Sequence, residues 1–580
     1  MVDVELKQLK RLLKQDNTAL PTVKVALLGD TATQLLATSI RGTGVLRGLN
    51  IDLFEAEYNQ VERQLMDPAS ELYAFDAEYV VLFQSTHKFG EHHSMMDAAA
   101  QEALADERLA FVEAVCSNPH LADKKVICFN YPEIDDAVFG SYADKEPSSL
   151  TWQVRKLNYG LMTLAQRMPN LYVCDVAALQ NKVGRDVMFA PNVYTSTEMV
   201  LSVDVLPAVA SRVLDIVCAV RGSMKKCLIL DLDNTLWGGV VGDDGWEGLQ
   251  LGHGLGIGKA YTEFQMWVKK LRQRGIIICV CSKNDEDKAR EPFEKHPDMV
   301  LRMDDIAVFM ANWETKVDNI RAIQKVLNIG FDSMVFVDDN PFERAMVREN
   351  IVGIEVPEMP EDPAEWLEYM YGLNLFETAS YSGADAERTR QYQAEARRVT
   401  LAKTFGSEAD FLRSLDMKGT VSEFTAFNTP RVAQLSQRSN QFNLRTVRYT
   451  EADVAAMAAD NQVVCMALTL EDRFGDNGMV AVVVMKPVDA ESLFVETWLM
   501  SCRVLKRGME DFTLNAMVAA AKERGYKRIV GEYLPTAKNG MVADHYRKLG
   551  FTEVYGSTTS QWVLEVDSYK PHDCCISLKQ

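Results

Sequence analysis

Short apolar runs alternate with amphipathic stretches of helix length through most of the chain. Between about residues 22 and 215, "VKVALLGD", "EYVVLFQ", "KKVICFN" and "LYVCDV" read as strands with no polar face. Such runs, separated by helical segments, predict a parallel sheet covered on both sides. A second alternation opens at "CLILDLD" and continues through "GIIICVCSKN", "MVLRMDD" and "SMVFVDDN". Between these strands, "YTEFQMWVKKLRQR" sets Phe264, Trp267, Val268 and Leu271 on one helical face. The expected fold is therefore α/β, with two consecutive doubly wound parallel-sheet domains over residues 1–220 and 221–370.

Residues 371–420 are charged and helical in character, as in "GADAERTRQYQAEARRVTLAKTF", and are expected to link to a last domain at 421–580. There "VVCMALTL", "GMVAVVVMK", "ESLFVETWLM" and "RIVGEYL" predict successive strands. The helix "MEDFTLNAMVAAAKERG" interrupts them, which makes this unit α+β. No internal repeat or low-complexity tract is evident.

Composition narrows the class of protein. Hydrophobic residues make up 47% of the 580 and charged residues 25%, the balance of a soluble globular chain too long for one core. No apolar run is long enough to span a bilayer, and "MVDVELKQLKRLLKQDN" reads as an amphipathic helix rather than a signal peptide. A cytoplasmic protein is expected, with no membrane partner. The net charge of −20 disfavours nucleic acid, which demands clustered Lys and Arg. The 11 cysteines are scattered through apolar runs, and the close pairs Cys279/Cys281 and Cys574/Cys575 lack zinc-ligand spacing.

Candidate chemistry gathers in the middle domain. Asp231 and Asp233 end its first strand, Ser282 follows "IIICVC", and Asp338 and Asp339 follow "SMVFV". Ligands of open parallel sheets collect at these carboxyl ends. Lys316 stands between the second and third positions in "NWETKVDNI". So many carboxylate oxygens at one point would repel without a cation, and a hard, oxygen-rich site selects Mg²⁺. Such a site suits phosphoryl transfer: a carboxylate attacks phosphorus, metal and lysine neutralise charge, and a second carboxylate acts as acid and base.

The strings "DLDNT", "VCSKN", Lys316 and "VDDN", in that order, resemble the haloacid-dehalogenase-like phosphatase superfamily. The resemblance implies Asp231 as nucleophile, Asp233 as general acid/base, and Ser282 and Lys316 as phosphate holders. It also implies Mg²⁺ on Asp231, the backbone carbonyl of Asp233, and Asp339, with Asp338 supporting the shell. The gaps between these strings leave no room for a lid domain, and an open site suits a phosphate carried on something large. "CLILDLDNTLWGGVVGDDG", "SQRSNQFNLRTVRYT", "DRFGDNGMV", "TWLMSCRVLKRG" and "YLPTAKN" are similar to the FkbH-like proteins over about residues 22 to 565. That resemblance implies a phosphorylated three-carbon substrate, 1,3-bisphosphoglycerate, whose glyceryl unit passes through an enzyme thioester to an acyl carrier protein. Cys281, beside Ser282, is the first candidate thiol, close to metal and lysine charges that favour thiolate; Cys502 is the second. The place of Cys281 in the buried strand "IIICVC", where alternation turns one of each neighbouring pair away from the site, equally reads as a packed core thiol.

The last domain is similar to the Gcn5-related acetyltransferases. In "CRVLKRGMEDF", Arg503, Lys506, Arg507 and Gly508 align with that family's pyrophosphate loop, with Lys506 in place of its first glycine. Asn539 and Tyr546 stand where the fold keeps an asparagine and a tyrosine acid. These six residues are expected to dock a carrier protein or its phosphopantetheine arm rather than acetyl-CoA. In the first domain "ALLGDT" is similar to the Gly-Asp-Ser block of SGNH-type hydrolases, with Thr31 at the nucleophile position and the late Asp-x-x-His missing. His87, His92 and His93 lie elsewhere, so a non-catalytic docking domain is expected. The competing readings are an uncapped phosphatase or acyltransferase with another substrate, and a Mg²⁺-binding scaffold.

Overall fold

The computed structural model describes residues 4–57, 59–381, 388–402, 404–536, 538–554 and 560–579; the side chains of residues 388, 399, 400 and 502 lie outside that description. The chain forms two compact units, residues 1–219 and 220–580.

In the first unit, β1 (Thr22–Gly29), β2 (Asn50–Glu55), β3 (Tyr79–Phe83), β4 (Lys125–Phe129) and β5 (Leu171–Cys174) form a parallel sheet in the order 2-1-3-4-5. The four strands read from the sequence are all present. The fifth, β2, has only Ile51 fully buried and lies at the sheet edge, so its apolar signal is weak. Helices start where a polar side chain satisfies a free N–H of the first turn: Ser85 accepts from Lys88, Asp97 from Ala100 and Ser149 from Trp152. The N-terminal helix Leu6–Leu12 buries Leu6 and Leu9. Leu9 packs so closely on Gly42 that an added methyl there would lie 2.6 Å from its Cβ.

The second unit contains two sheets. β6 (Cys227–Leu230), β7 (Ile277–Ser282), β8 (Val308–Ala311) and β9 (Met334–Val337) are all parallel, in the order 8-7-6-9. The chain builds outward from β6 to β8 and then crosses to the other side of β6. The crevice between β6 and β9 is thus the topological switch point. One expectation fails here: "MVLRMDD" is not a strand, and β8 begins seven residues beyond its apolar start Met299–Val300–Leu301. Met299 and Leu301 are still buried, but Gln265 Oε1 accepts the Val300 and Leu301 N–H groups. A side chain has replaced the strand ladder.

The second sheet of this unit is mixed: β10 (Met417–Ser422), β11 (Val464–Asp472), β12 (Gly475–Pro487), β13 (Ser492–Met500), β14 (Arg528–Tyr533), β15 (Thr552–Val554), β16 (Ser560–Glu565) and β17 (Ile576–Leu578). Their order is 15-16-14-13-12-11-10-17. With helix Met509–Glu523 packed on it, this is the expected α+β body. β13 and β14 run parallel but pair only over Ser492–Phe494 and Arg528–Val530, then diverge. Residues 442–444 fill the gap. Met500 N donates to Phe442 O at 3.0 Å, Leu444 N to Trp498 O at 3.3 Å, and Leu534 N to Leu444 O at 2.9 Å. Arg445 closes it by ion pairs to Glu496 and Glu532. Among the described residues, no helix is long and apolar enough to cross a membrane.

Candidate active site

β6 ends on Leu230, and Asp231 follows with its N–H bonded to Val337 O of β9 at 3.0 Å. That ladder bond brings the two strand ends of the switch point together. Asp231 is thereby set beside Asp338, the first residue after β9. Lys316 opens the helix Lys316–Leu327, which Thr315 caps by accepting from Asp318 N. Its Nζ reaches Asp231 Oδ2 at 2.8 Å and also bonds Asp338 Oδ2. All three are buried. Burial and the charge of Asp231 push the Asp338 carboxyl up to about 7. The two carboxylates hold the Lys316 ammonium charged, above its ordinary range despite its burial.

Asp339 completes the group. Its Oδ1 accepts from Thr235 Oγ1 at 3.3 Å, and burial raises its pKa, with Asp231 adding to the rise. One carboxylate oxygen each from Asp231, Asp338 and Asp339 lie within 4.8 Å of one another. The buried Oδ1 of Asp231 has no hydrogen-bond partner among the described residues. An orphaned anionic oxygen beside two further carboxylates fits a hard divalent cation, which would supply the positive partner that oxygen lacks. Arg344 pins the turn by donating to the carbonyls of Asp338 at 2.9 Å and Asp339 at 2.7 Å.

Asp233 stands apart from that group. Its Oδ1 accepts from Trp237 Nε1 at 2.9 Å and Val241 N at 3.0 Å, and its Oδ2 from Asn284 Nδ2 at 2.8 Å. Asn284 also donates to Ser282 Oγ at 3.3 Å, so one amide ties Asp233 to the end of β7. The chain turns here through Asn234 at φ +52°, in the left-handed region that asparagine tolerates. Asn284, Thr235 and Arg344 were given no role from sequence. Asn284 and Thr235 lie inside the quoted strings, whereas Arg344 carries no local signal.

Cys281 lies one residue before Ser282, on the opposite face of β7, among Cys227, Ile229 and Cys279. It is fully buried, and its thiol donates to Lys316 O at 3.7 Å. Burial pushes its pKa up more strongly than Lys316 lowers it, which matches a packed core thiol rather than a thiolate. Cys502 has its side chain outside the described residues.

The six residues expected to dock a carrier arm do not converge. Arg507 pairs with Glu395 and, at 3.4 Å, with Asp472, which also binds Arg398 at 2.8 Å. Its charge is therefore already matched inside the protein. Lys506 holds φ +62°, the conformation for which glycine is suited, and its N–H donates to Glu510 at 3.3 Å. Gly508 caps the helix Met509–Glu523 at φ +81°, but Glu510 and Asp511 occupy the first turn that a phosphate would face. Asn539 is fully buried and spends its amide on Asn443 O and Leu534 O at 3.0 and 2.9 Å. Tyr546 is enclosed by Trp498 and Phe551, and burial raises its pKa. Arg503 lines a cavity.

In the first unit, Asp30 closes the crevice between β1 and β3 by accepting twice from Ser85 N, at 3.0 and 2.8 Å. Thr31 is fully buried. His93 bonds Ser148 O at 2.6 Å, and His87 packs on Phe189 and Tyr194. No nucleophile–base pair is assembled among these described residues.

A protein-family model described as the FkbH N-terminal domain matches residues 24–218. No curated protein matches the chain. Among solved structures, the N-terminal part of the protein BF1531 from Bacteroides fragilis, containing a phosphatase domain and complexed with Mg, is 62% identical; the match covers 65% of this chain and 100% of that one, with a TM-score of 0.64. The ribosomal-protein-S18-alanine N-acetyltransferase of Escherichia coli is 18% identical over 25% of this chain and 90% of its own, with a TM-score of 0.20. A switch-point carboxylate site in a phosphatase domain, and a relative this similar matched over its full length, place the chain in the FkbH-like family.

Proposed function

We propose that the middle domain is a Mg²⁺-dependent phosphatase that acts by a phosphoaspartate on Asp231, and that the chain uses it to deliver a glyceryl unit to an acyl carrier protein. The observation that carries the first part is the Asp231–Lys316–Asp338–Asp339 group with its orphaned Oδ1. Asp231, Asp338 and Asp339 would hold the cation together with the Asp233 carbonyl, and Mg²⁺ bound there would neutralise charge on the phosphoryl oxygens. Asp231 attacks phosphorus while Ser282 Oγ and Lys316 Nζ hold the phosphate oxygens. Asp233 protonates the departing oxygen and then takes a proton from water as it hydrolyses the phosphoaspartate. Trp237, Val241 and Asn284 hold the Asp233 carboxylate for that work.

In the full reading, a thiolate displaces the acyl phosphate of 1,3-bisphosphoglycerate, releasing inorganic phosphate and forming a thioester. The ester phosphate leaves through Asp231, and the glyceryl unit exchanges onto the carrier thiol. Family membership supports this substrate and partner. The burial of Cys281 favours a second reading, a plain phosphatase of another phosphorylated or carrier-bound substrate.

Intact-protein mass after incubation with Mg²⁺ and 1,3-bisphosphoglycerate separates them. A hydroxylamine-labile glyceryl adduct on the wild type, absent from Cys281→Ser, supports the thioester route through Cys281. An adduct that survives Cys281→Ser assigns the thiol to Cys502 or another cysteine. Release of phosphate dependent on Asp231, with no adduct, leaves the plain phosphatase.

A further inference from the structure

We propose that Trp313 and Phe342 are specificity-determining residues of the phosphatase site, selecting a phosphate ester whose organic part carries an extended apolar group. The inference rests on the phosphoryl-transfer reading of that site and deepens its second form, in which the substrate is larger than a three-carbon phosphate. Trp313 is 71% exposed and Phe342 65% exposed. Rings of this kind ordinarily bury about 150–250 Å² each. A single exposed ring is ordinary on a protein surface. These two, however, stand at either side of one site.

Their positions follow from the strand order 8-7-6-9. Trp313 comes two residues after β8, at one edge, and Phe342 five residues after β9, at the other. Ser282 and Asp231, at the ends of β7 and β6, lie between them. Three inter-strand steps of about 4.8 Å put the two outer strand ends roughly 14 Å apart. Asn312 N continues the ladder to Ser282 O at 3.2 Å, which brings Trp313 alongside the serine proposed to hold the phosphate. On the other side, Asn340 N donates to Asp338 Oδ1 at 2.9 Å, and Asn340 Oδ1 accepts from Phe342 N at 2.9 Å.

The loop after β7 joins both rings to the acid/base residue. Lys283 Nζ pairs with Glu343 Oε1 at 2.5 Å, next to Phe342. Asn284 donates to Asp233 and to Ser282 Oγ. Asp285 Oδ1 accepts from Trp313 Nε1 at 2.8 Å. Lys283 is thus spent within the protein, and what Trp313 and Phe342 offer a substrate is apolar surface. The hydrogen bond also orients the indole, so covering it costs little further side-chain freedom. Between β6 and β9 the chain adds no strand beyond β7 and β8, so no lid domain separates these rings from an arriving ligand. A small polar phosphate gains little from an apolar ring, whereas an apolar extension is driven out of water onto it.

The test is calorimetry on the full chain with Mg²⁺, using methylphosphonate and n-hexylphosphonate, two non-hydrolysable probes that differ only in the apolar group. The wild type should bind one equivalent of n-hexylphosphonate about tenfold or more tightly than methylphosphonate. Trp313→Ala should erase that preference with methylphosphonate affinity changed less than about twofold. Trp313→Phe should keep most of it, and Phe342→Ala should reduce it about twofold or more. Both side chains are exposed, so the melting temperature should not move. Equal affinity for the two probes, a preference unaltered by Trp313→Ala or by Phe342→Ala, or no binding of either probe overturns the inference. Turnover of n-hexyl phosphate, followed alongside, tests the phosphatase reading separately. Preference without turnover removes that reading and keeps the rings as ligand contacts; turnover without preference does the reverse.

Discussion

Lys316 Nζ sits 2.8 Å from Oδ2 of Asp231, while Oδ1 of the same carboxylate meets no donor among the described residues. One side of Asp231 is thus neutralised by the protein and the other is left for a cation. This division of one carboxylate is what makes it a candidate to attack phosphorus at neutral pH.

Asp231→Asn should lower phosphate release on the order of 10³-fold or more, since loss of a nucleophile removes the covalent route. Asp233→Asn should instead slow hydrolysis of the intermediate. Intact mass should then show one phosphoryl group accumulating on the enzyme under turnover. Wild-type rates in Asp231→Asn would remove the residue from the mechanism.

Chelation should stop turnover and added Mg²⁺ should restore it. Because Asp338 is pushed up to about 7, protons compete with the cation for its carboxylate. Affinity for Mg²⁺ should therefore fall as pH drops below about 7, by up to about tenfold per unit if one proton is displaced. Calorimetry from pH 8 downward checks this, and a flat affinity would contradict the competition.

His545 lies between Phe442 and Trp498, with ring centroids at 4.8 and 4.5 Å, and burial pushes its pKa down to about 3 from 6.5. The folded state favours the neutral ring, so the unfolded chain binds the proton first as pH falls. Stability should be insensitive to this group above 6.5 and decline between 6.5 and 3. At pH 5 the loss is about 2 kcal/mol. Urea unfolding followed by Trp fluorescence should show the decline, and His545→Phe should flatten it.

Removing Arg507 leaves Glu395 and Asp472 short of a partner in a buried network. Arg507→Met should destabilise the third domain by about 3–5 kcal/mol, the usual cost of breaking a buried pair. A loss under about 1 kcal/mol would mean that Arg507 is free to serve a ligand.

The carboxylate cluster at the switch point was largely legible because its residues are local to strand ends. Asp231, Ser282 and Asp338 each follow an apolar run, so period and position identify them without contacts. Gln265 was not legible, because its amide replaces a ladder some 35 residues away and leaves no periodic trace. The pyrophosphate-loop residues were misleading for a related reason. Arg507 reads as a free cation until Glu395, 112 positions earlier, is brought against it.

The sequence by itself determined the parallel sheets, the α+β body and the carboxylate set, since burial pattern and strand-end chemistry are written in neighbouring residues. Tertiary structure alone decided which charges are spent. It paired Arg507, submerged Cys281, and drew residues 442–444 between two diverging strands. Electrostatics and desolvation depend on distance in space, and no spacing along the chain encodes that.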